Sequence, residues 1–513
     1  MSLAKTKSIS LFGLSGTVID VEVDISAQLP SFVLVGLPDA SLAEATARVR
    51  AAISNSGFSF PSRKVVVNLS PAAVPKSGSS FDLAIAVAVL VATEVMPQGA
   101  VDGFCFIGEL GLDGAVKSVP GVLPMTLRSA EAGLAQVVVP VGNLGEASLV
   151  DGIEVQGALS LTQLVAVLKG QSKPSTAAAA ADAPGFDASA HRDLDLNQVI
   201  GQNEAVDGLI VAAAGGHHIS MIGAPGAGKT MLAERLPTIL PPLTLKQATE
   251  VAAIESIGGD GQRRVGLNLL PRFQTPHHSA SVASIIGGGG GVPRPGAVSL
   301  AHHGVLFLDE ALEFNGLVLD SLREPLEAGR IVINRTAGSA VFPARFQLVL
   351  AANPCPCGFL GVSGKDCRCA PMAIRRYANR LSGPVQDRID IRLNIMPVSI
   401  GAGVGLAEAN PDSADARARV VAARAVAGRR LASHGFHLNA QVPGPMLRKL
   451  FPAVNPAMKL LDGLVLGGKL SMRGMDRCLR LAWTLADLDG IGKPTLEHVQ
   501  AAVVLRGADE IGN

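Results

Sequence analysis

The eight residues "GAPGAGKT" (Gly223–Thr230) limit what this chain can fold into more than any other stretch. They complete the pattern G-x-x-x-x-G-K-[ST], with the apolar run "HISMI" before them and the helical "MLAERL" after. That context predicts a parallel strand, a tight loop and a helix in an α/β domain. Glycines let backbone N–H groups curl around phosphate oxygens at a helix N-terminus, where the helix dipole favours anions. Gly223, Ala224, Pro225, Gly226, Ala227, Gly228, Lys229, Thr230 and Met231 are therefore the expected ATP-binding segment. Lys229 is expected to reach the β- and γ-phosphates, and Thr230 to ligate Mg²⁺.

The second half of such a site is a buried strand that delivers carboxylates at its C-terminal tip. "GVLFLDE" (Gly304–Glu310) has that form. Asp309 is expected to hold Mg²⁺ directly or through water, and Glu310 to polarise the attacking water. A third apolar run, "FQLVLAANP", ends at Asn353. Its side-chain amide either orients that water or simply turns the chain before Pro354. Arg388, in "SGPVQDRIDIRL", is placed either to reach a neighbouring subunit's γ-phosphate or to pair locally with Asp387 or Asp390. Arg473, in "LSMRGMD", opens a helix and is a second candidate for phosphate contact.

At 513 residues the chain is too long for one ordinary core. The stretch "GQSKPSTAAAAADAPGFDASA" has no apolar periodicity and is expected to be a linker. The expected domains are 1–169, mixed α/β; 170–192, linker; 193–398, the ATPase core; and 399–513, a helical lid. The apolar run "LAIAVAVLVA" is about half the ~20 residues of a membrane span. With no signal peptide evident in "MSLAKTKSISLFGL", a cytoplasmic protein with no membrane partner is expected. A formal net charge of +1 advertises no global basic field, so any nucleic-acid contact must come from local patches.

Two segments supply such patches. "SIIGGGGGVPRPGAVSLAHHG" is too glycine-rich for a packed element and carries Arg294. "EAGRIVINRTAGSAVFPAR" alternates as a β-hairpin around "TAGS" and brings Arg330, Arg335 and Arg345. Either these arginines track a DNA backbone, or the hairpin packs on its own domain with its arginines solvated. One Trp and one Tyr leave few rings for base stacking beyond the 16 Phe, so backbone electrostatics is the expected mode. Four cysteines, Cys355, Cys357, Cys367 and Cys369, follow directly on Asn353. Two close pairs suit a tetrahedral structural Zn²⁺, with free or redox-active thiols and an iron–sulfur cluster as the alternatives. Cys105 and Cys478 sit in apolar surroundings as buried hydrophobes. Three His-His pairs (217–218, 277–278, 302–303) are left unassigned.

This ordered set resembles the AAA+ ATPases, and more narrowly their magnesium-chelatase-like YifB/ComM group. The resemblance rests on "GHHISMIGAPGAGKTMLAERLPTILPPL", "TPHHSASVASIIGGGGGVPRPGAVSLAHHGVLFLDE", "LAANPCPCG", "LSGPVQDRIDI" and "LSMRGMDRCLRLAWTLADL". It implies that Arg388 is an arginine finger, Arg473 a second sensor and the assembly a homo-hexameric ring. It also implies ATP-driven DNA branch migration in recombination or natural transformation, with no porphyrin ligand. The alternatives are the ATPase subunit of a magnesium-chelatase-type metal insertase, and a protein remodeller or ATP-dependent protease. The N-terminal third resembles the Lon protease domain, with "PKSGSSFDLAIAVAVL" placing Ser80 at the serine position. Met125 stands where the resemblance expects the lysine. A thioether cannot act as a general base, so an inactive domain is expected. Neither Lys76 nor Lys117 matches the lysine position.

Overall fold

The computed structural model describes residues 2–36, 44–76, 78–175, 194–258, 266–289, 293–335, 338–362, 366–397 and 410–507. Most of the expected linker (176–192) and the expected core–lid boundary at 398–399 lie outside those residues. So do Gly290–Val292 of the glycine-rich loop and Thr336 and Ala337 of the hairpin turn.

Two sheets organise the chain. The first has seven strands in the order β3-β4-β2-β1-β5-β8-β9. Its strands are β1 (Ser2–Phe12), β2 (Ser15–Ser26), β3 (Ser31–Val35), β4 (Lys64–Ser70), β5 (Phe104–Phe106), β8 (Gln136–Pro140) and β9 (Glu154–Ala158), with β6 (Glu109–Leu110) pairing β7 (Val116–Lys117) beside it. The pairs β1–β2 and β2–β4 are antiparallel and the others parallel, which makes the sheet mixed. Strand β1 is left unread by the sequence, since "SLAKTKSISLF" mixes polar and apolar residues without a clean alternation, and its Thr6, Ser8 and Ser10 are buried along with Ala4 and Ile9. The apolar run "LAIAVAVLVA" belongs to the helix Asp82–Ala92, every residue of which is buried. A helix packed on all sides needs no polar face, which explains the run without any membrane. No described helix is long and apolar enough to cross one.

The second sheet is wholly parallel, in the order β11-β14-β17-β10-β18. Its strands are β10 (Ile219–Gly223), β11 (Phe273–Gln274), β14 (Val305–Leu308), β17 (Gln347–Ala352) and β18 (Ile391–Ile395). β14 and β17 are buried at every position, as expected for central strands covered on both faces. The sequence pattern places the turn to helical structure at Asp390. The chain instead makes β18 first, directly beside β10, and only then the helices Ser413–Leu431, Met472–Leu488 and Leu496–Leu505. Those helices pack with the Asn203–Gly215 helix on one face of the sheet in a single apolar cluster. Side-chain caps open the last three of these in chain order: Asp412 accepts from Asp415 N at 2.7 Å, Ser471 from Gly474 N at 3.0 Å, and Thr495 from His498 N at 3.5 Å.

Two β-ribbons stand off this sheet, β12 (Gly287–Gly288) with β13 (Arg294–Pro295) and β15 (Arg330–Arg335) with β16 (Gly338–Pro343). The N-terminal domain reaches both ribbons' surroundings. The β1–β2 turn places Phe12 and Leu14 against the cluster that holds Ile331, Ile333, Ala340 and Phe342. The Leu245–Gly258 helix lies between the two sheets: Gly121 N donates to Ser256 O at 2.9 Å, and Leu123 packs with Ala253.

Candidate ATP site and its surroundings

Strand order alone assembles the centre. β17 lies between β10 and β14, so the loop after β10, the acids after β14 and Asn353 after β17 open onto one edge. Ligand sites of open parallel sheets form outside the carboxyl ends of their strands. Gly226 and Gly228 take φ of +78° and +94°, which the loop's curl requires. At Gly223 a Cβ would lie 2.3 Å from Ile395 O, so a side chain would split β10 from β18.

Lys229 opens the helix that follows, and its Nζ donates to Gly223 O at 2.7 Å, Ala224 O at 2.9 Å and Asn353 Oδ1 at 3.2 Å. Burial pushes its amine below the usual lysine range, and Asp309 and Glu310 pull it back. Thr230 Oγ1 donates to Asp309 Oδ2 at 2.9 Å, which puts two hard oxygens side by side at the mouth of the loop. Glu310 has a left-handed backbone (φ +50°) that swings its exposed carboxylate out beyond the strand. Its N–H donates to Asp309 Oδ1 at 2.9 Å, and its Oε2 lies 3.2 Å from His278 Nδ1.

The structure therefore brings Gly223–Thr230, Asp309, Glu310 and Asn353 together. His278 joins them unforeseen. Its His-His pair was visible in the sequence, but nothing in the spacing named Glu310 as its partner. The two arginines sit elsewhere. Arg388 Nη2 contacts Glu327 Oε2 at 2.5 Å and Nη1 donates to Pro384 O at 2.6 Å, so the local partner is Glu327 rather than Asp387 or Asp390. Arg473 Nη1 meets Asp387 Oδ2 at 3.1 Å. One turn along the same helix, Arg477 reaches Asp390 Oδ1 at 2.5 Å, and His217 Nδ1 contacts Asp390 Oδ2 at 3.2 Å. Burial alone would raise the Asp390 carboxyl, but Arg477 and His217 overcome it and hold the group well below the usual range. These pairs tie the Met472–Leu488 helix to the segment that carries Arg388.

Arg294, Arg330, Arg335 and Arg345 are all exposed, and none has a carboxylate partner among the described residues. The ribbons meet: a Cβ on Gly288 would lie 3.5 Å from Arg335 Nη2 and one on Gly287 3.0 Å from Ile333 Cδ1. The hairpin's inner face is packed, through Ile331, Ile333, Ala340 and Phe342, while its arginines face solvent. Arg345 sits at its base, where its N–H donates to His302 Nδ1 at 3.0 Å and its O accepts from His303 N at 2.6 Å. His302 Nε2 lies 3.4 Å and His303 Nε2 2.9 Å from Glu250 Oε2. Because His302 Nδ1 accepts an amide proton, its Nε2 carries the proton and donates to Glu250, a structural bridge with no lone pair for a metal.

The four clustered cysteines converge, with Sγ separations of 3.4 Å (Cys355–Cys357), 3.6 Å (Cys355–Cys367) and 3.7 Å (Cys357–Cys367). Cys105 and Cys478 are fully buried, as expected. In the N-terminal domain, Met125 packs in an apolar cluster with Ile9, Ile107 and Val122. Ser80 is buried, and the Lys76 amine is also buried with Pro71 O as its hydrogen-bond partner. Ser79 donates to Glu109, and Asp82 accepts from Arg48 Nε at 2.7 Å.

Three family models cover most of the chain: "Magnesium chelatase, subunit ChlI" over residues 195–402, "Subunit ChlI of Mg-chelatase" over 21–143, and "Magnesium chelatase, subunit ChlI C-terminal" over 410–506. An uncharacterized protein of Mycobacterium tuberculosis is 46% identical over 506 residues, 99% of each chain. YifB of Escherichia coli is 39% identical over 513 residues, 100% of this chain and 98% of that one. The competence protein ComM of Haemophilus influenzae is 38% identical over 506 residues, 99% and 98% respectively. A shorter likeness joins part of the chain to Lon proteases, 27% identical over 152 residues to Lon protease 2 of Bacillus subtilis, 28% of this chain and 27% of that one. With relatives matched along its whole length, and a phosphate loop, an acid-tipped strand and an intervening apolar strand that ends at Asn353 side by side in one sheet, this chain belongs to the magnesium-chelatase-like AAA+ family of YifB and ComM.

Proposed function

We propose that this AAA+ ATPase is the subunit of a ring motor that spends ATP to move DNA strands, of the branch-migration or helicase kind. One observation carries the reading. An ATP-type centre on β10, β14 and β17 stands on the same domain as two meeting ribbons whose arginines are exposed and, among the described residues, without carboxylate partners. Exposed arginines on adjoining ribbons suit a phosphate backbone read without regard to sequence. The name of the relative ComM, a competence protein, fits that use.

In this reading Lys229 leaves its carbonyl partners for the β- and γ-phosphates, and the backbone of Gly223–Gly228 cradles them. Thr230 and Asp309 hold Mg²⁺, which when bound neutralises phosphate charge and fixes phosphate geometry. Glu310 accepts the proton of the attacking water, and Asn353 orients that water. Arg388 comes from a neighbouring copy, in a ring proposed to be a hexamer, and Arg473 answers from the lid. The four thiols are not needed for this chemistry and suit a structural Zn²⁺. The Lon-like domain is read as an inactive scaffold: Met125, at the lysine position of the resemblance, lies in the apolar core, and a thioether cannot serve Ser80 as general base. The domains are read as 1–169, 193–398 and 399–513 around the 170–192 linker, in a cytoplasmic protein.

The magnesium-chelatase descriptions of all three matched models favour a second reading, the ATPase of a metal-insertion complex. ATP turnover with and without duplex, single-stranded and four-way-junction DNA separates the two. The motor reading expects stimulation that weakens steeply with salt, junction migration, and loss of both in Lys229→Ala and Glu310→Gln. Turnover indifferent to every DNA structure overturns it.

A further inference from the structure

The segment after Asn353 leaves the sheet, passes four cysteines and returns at the helix Pro371–Ala378. Its sulfurs are spaced for an ion. Thiolates about 2.3 Å from a tetrahedral zinc stand roughly 3.8 Å from one another. Three of the separations are 3.4 to 3.7 Å, and all four Sγ atoms lie within 4.8 Å of one another. A disulfide would instead draw one pair to about 2.05 Å and push the others apart. Backbone N–H groups also point at the sulfurs: Phe359 at Cys357, Cys369 at Cys367, and Cys357 at Cys369. Amide donors of this sort are the outer partners that thiolate ligands take around a metal. Cys355 is fully buried and the other three half-buried, so the site is closed rather than open to substrate.

What this loop touches gives it a task. Gly358 sits between Cys357 and Phe359 with φ +80°, and its N–H donates to Cys355 O at 2.9 Å. A Cβ on Gly358 would lie 2.5 Å from Pro225 Cδ, 2.7 Å from Pro225 Cγ and 3.9 Å from Asn353 Cγ. The turn held by the cysteines is thus pressed onto the phosphate loop, at the one loop residue whose ring fixes its backbone.

We infer that Cys355, Cys357, Cys367 and Cys369 bind one structural Zn²⁺, and that this ion seats the Gly358 turn on Pro225 and so sets the nucleotide affinity of the phosphate loop. The coupling half rests on the ATP reading of Gly223–Thr230; the metal half does not.

The test uses full-length protein purified without a His-tag. Elemental analysis is expected to find one zinc per chain, and Cys367→Ser with Cys369→Ser to lose it. Stripping zinc from the wild type with a strong chelator is expected to weaken a fluorescent ATP analogue about tenfold, the scale on which sub-ångström misplacement acts. Readdition of zinc restores the affinity. Gly358→Ala is expected to keep its zinc and still bind the analogue several-fold more weakly. Circular dichroism checks that each variant is folded. Lys229→Ala is expected to keep zinc while losing nucleotide, so failure of the ATP reading leaves the zinc count to decide the metal half. Absence of zinc both as purified and after zinc addition overturns the site. Zinc bound, with analogue affinity unmoved by chelation and by Gly358→Ala, overturns the coupling.

Discussion

Arg388 and Glu327 form an ion pair at 2.5 Å within one chain, the arginine mostly covered and the glutamate mostly exposed. On the proposed reading, in which Arg388 serves a neighbour's γ-phosphate, this pair parks the arginine on its own subunit's Glu327. An exposed partner of this kind stabilises by about 1 kcal/mol or less, little enough for a phosphate to displace it. Arg388→Ala is expected to lower ATP turnover of the assembled protein by roughly 10³-fold, the scale of a lost arginine finger. Glu327→Gln is expected to keep turnover at or above the wild-type rate. Steady-state phosphate release checks both, and a Glu327→Gln loss as deep as that of Arg388→Ala sinks the parking account.

Glu310 carries a second cost. A non-glycine residue at φ +50° is strained by about 1 kcal/mol or more, here offset in part by its N–H to Asp309. Activity and stability should therefore move in opposite directions. Glu310→Gln keeps the strain and is expected to cut hydrolysis by at least 10²-fold at unchanged nucleotide binding. Glu310→Gly is expected to be equally inactive yet to melt at a higher temperature than Glu310→Gln. Calorimetry of the two variants beside one turnover assay decides it.

The parts of this architecture that were legible in the sequence are those fixed by local chemistry. The phosphate loop, the acids at the end of β14 and Asn353 at the end of β17 each follow an apolar run that permits little but a buried strand, and strand order then brings them together. What stayed hidden depends on long-range packing. His278 meets Glu310, and Glu327 meets Arg388, across 32 and 61 residues of chain, and nothing at either end marks the other. The same holds for β1, whose consecutive polar residues Lys5–Ser8 give no clean strand pattern until β2 and β5 pair with it. The seat of Gly358 against the Pro225 ring joins residues 133 positions apart, and nothing in a cysteine-rich loop marks its glycine as the neighbour of the phosphate loop.

Acid should loosen the joint between β10, β17 and β18. His218 Nδ1 accepts from Leu348 N at 3.0 Å. Burial pushes its imidazole from 6.5 down to about 4, Asp390 opposing and Arg477 and His217 assisting. Its pKa is lower folded than unfolded, so the unfolded chain binds more protons between those values. Stability then falls as pH drops from about 6.5 towards 4, by on the order of 3 kcal/mol for this group. His302, also pushed down to about 4 by burial, adds in the same window. Asp390 does not, since its depressed carboxyl loses its contribution only in stronger acid. His218→Asn, whose side-chain oxygen can still accept from Leu348, is expected to flatten roughly half of the decline in melting temperature between pH 6.5 and 4. An unchanged slope refutes the assignment.

The N-terminal domain's hold on the arginine hairpin is open to a small steric change. Gly13, at φ +63° in the β1–β2 turn, lies so close to β16 that a Cβ there would stand 2.9 Å from Ala340 Cβ and 3.5 Å from Phe342 Cζ. Phe12 covers Gly338 from the other side, 3.4 Å from where its Cβ would be. Gly13→Val adds both a clash and a left-handed β-branched residue, so the turn must lift from the hairpin at a cost of about 1–3 kcal/mol. Amide exchange in residues 330–335 and 338–343 is expected to speed up, while exchange in β10 and β14 stays as in the wild type. If the hairpin works on DNA under this clamp, DNA stimulation of turnover should change several-fold and DNA-free turnover should not. Equal change in both rates would place the clamp in the fold of the ATPase core rather than in its grip on DNA.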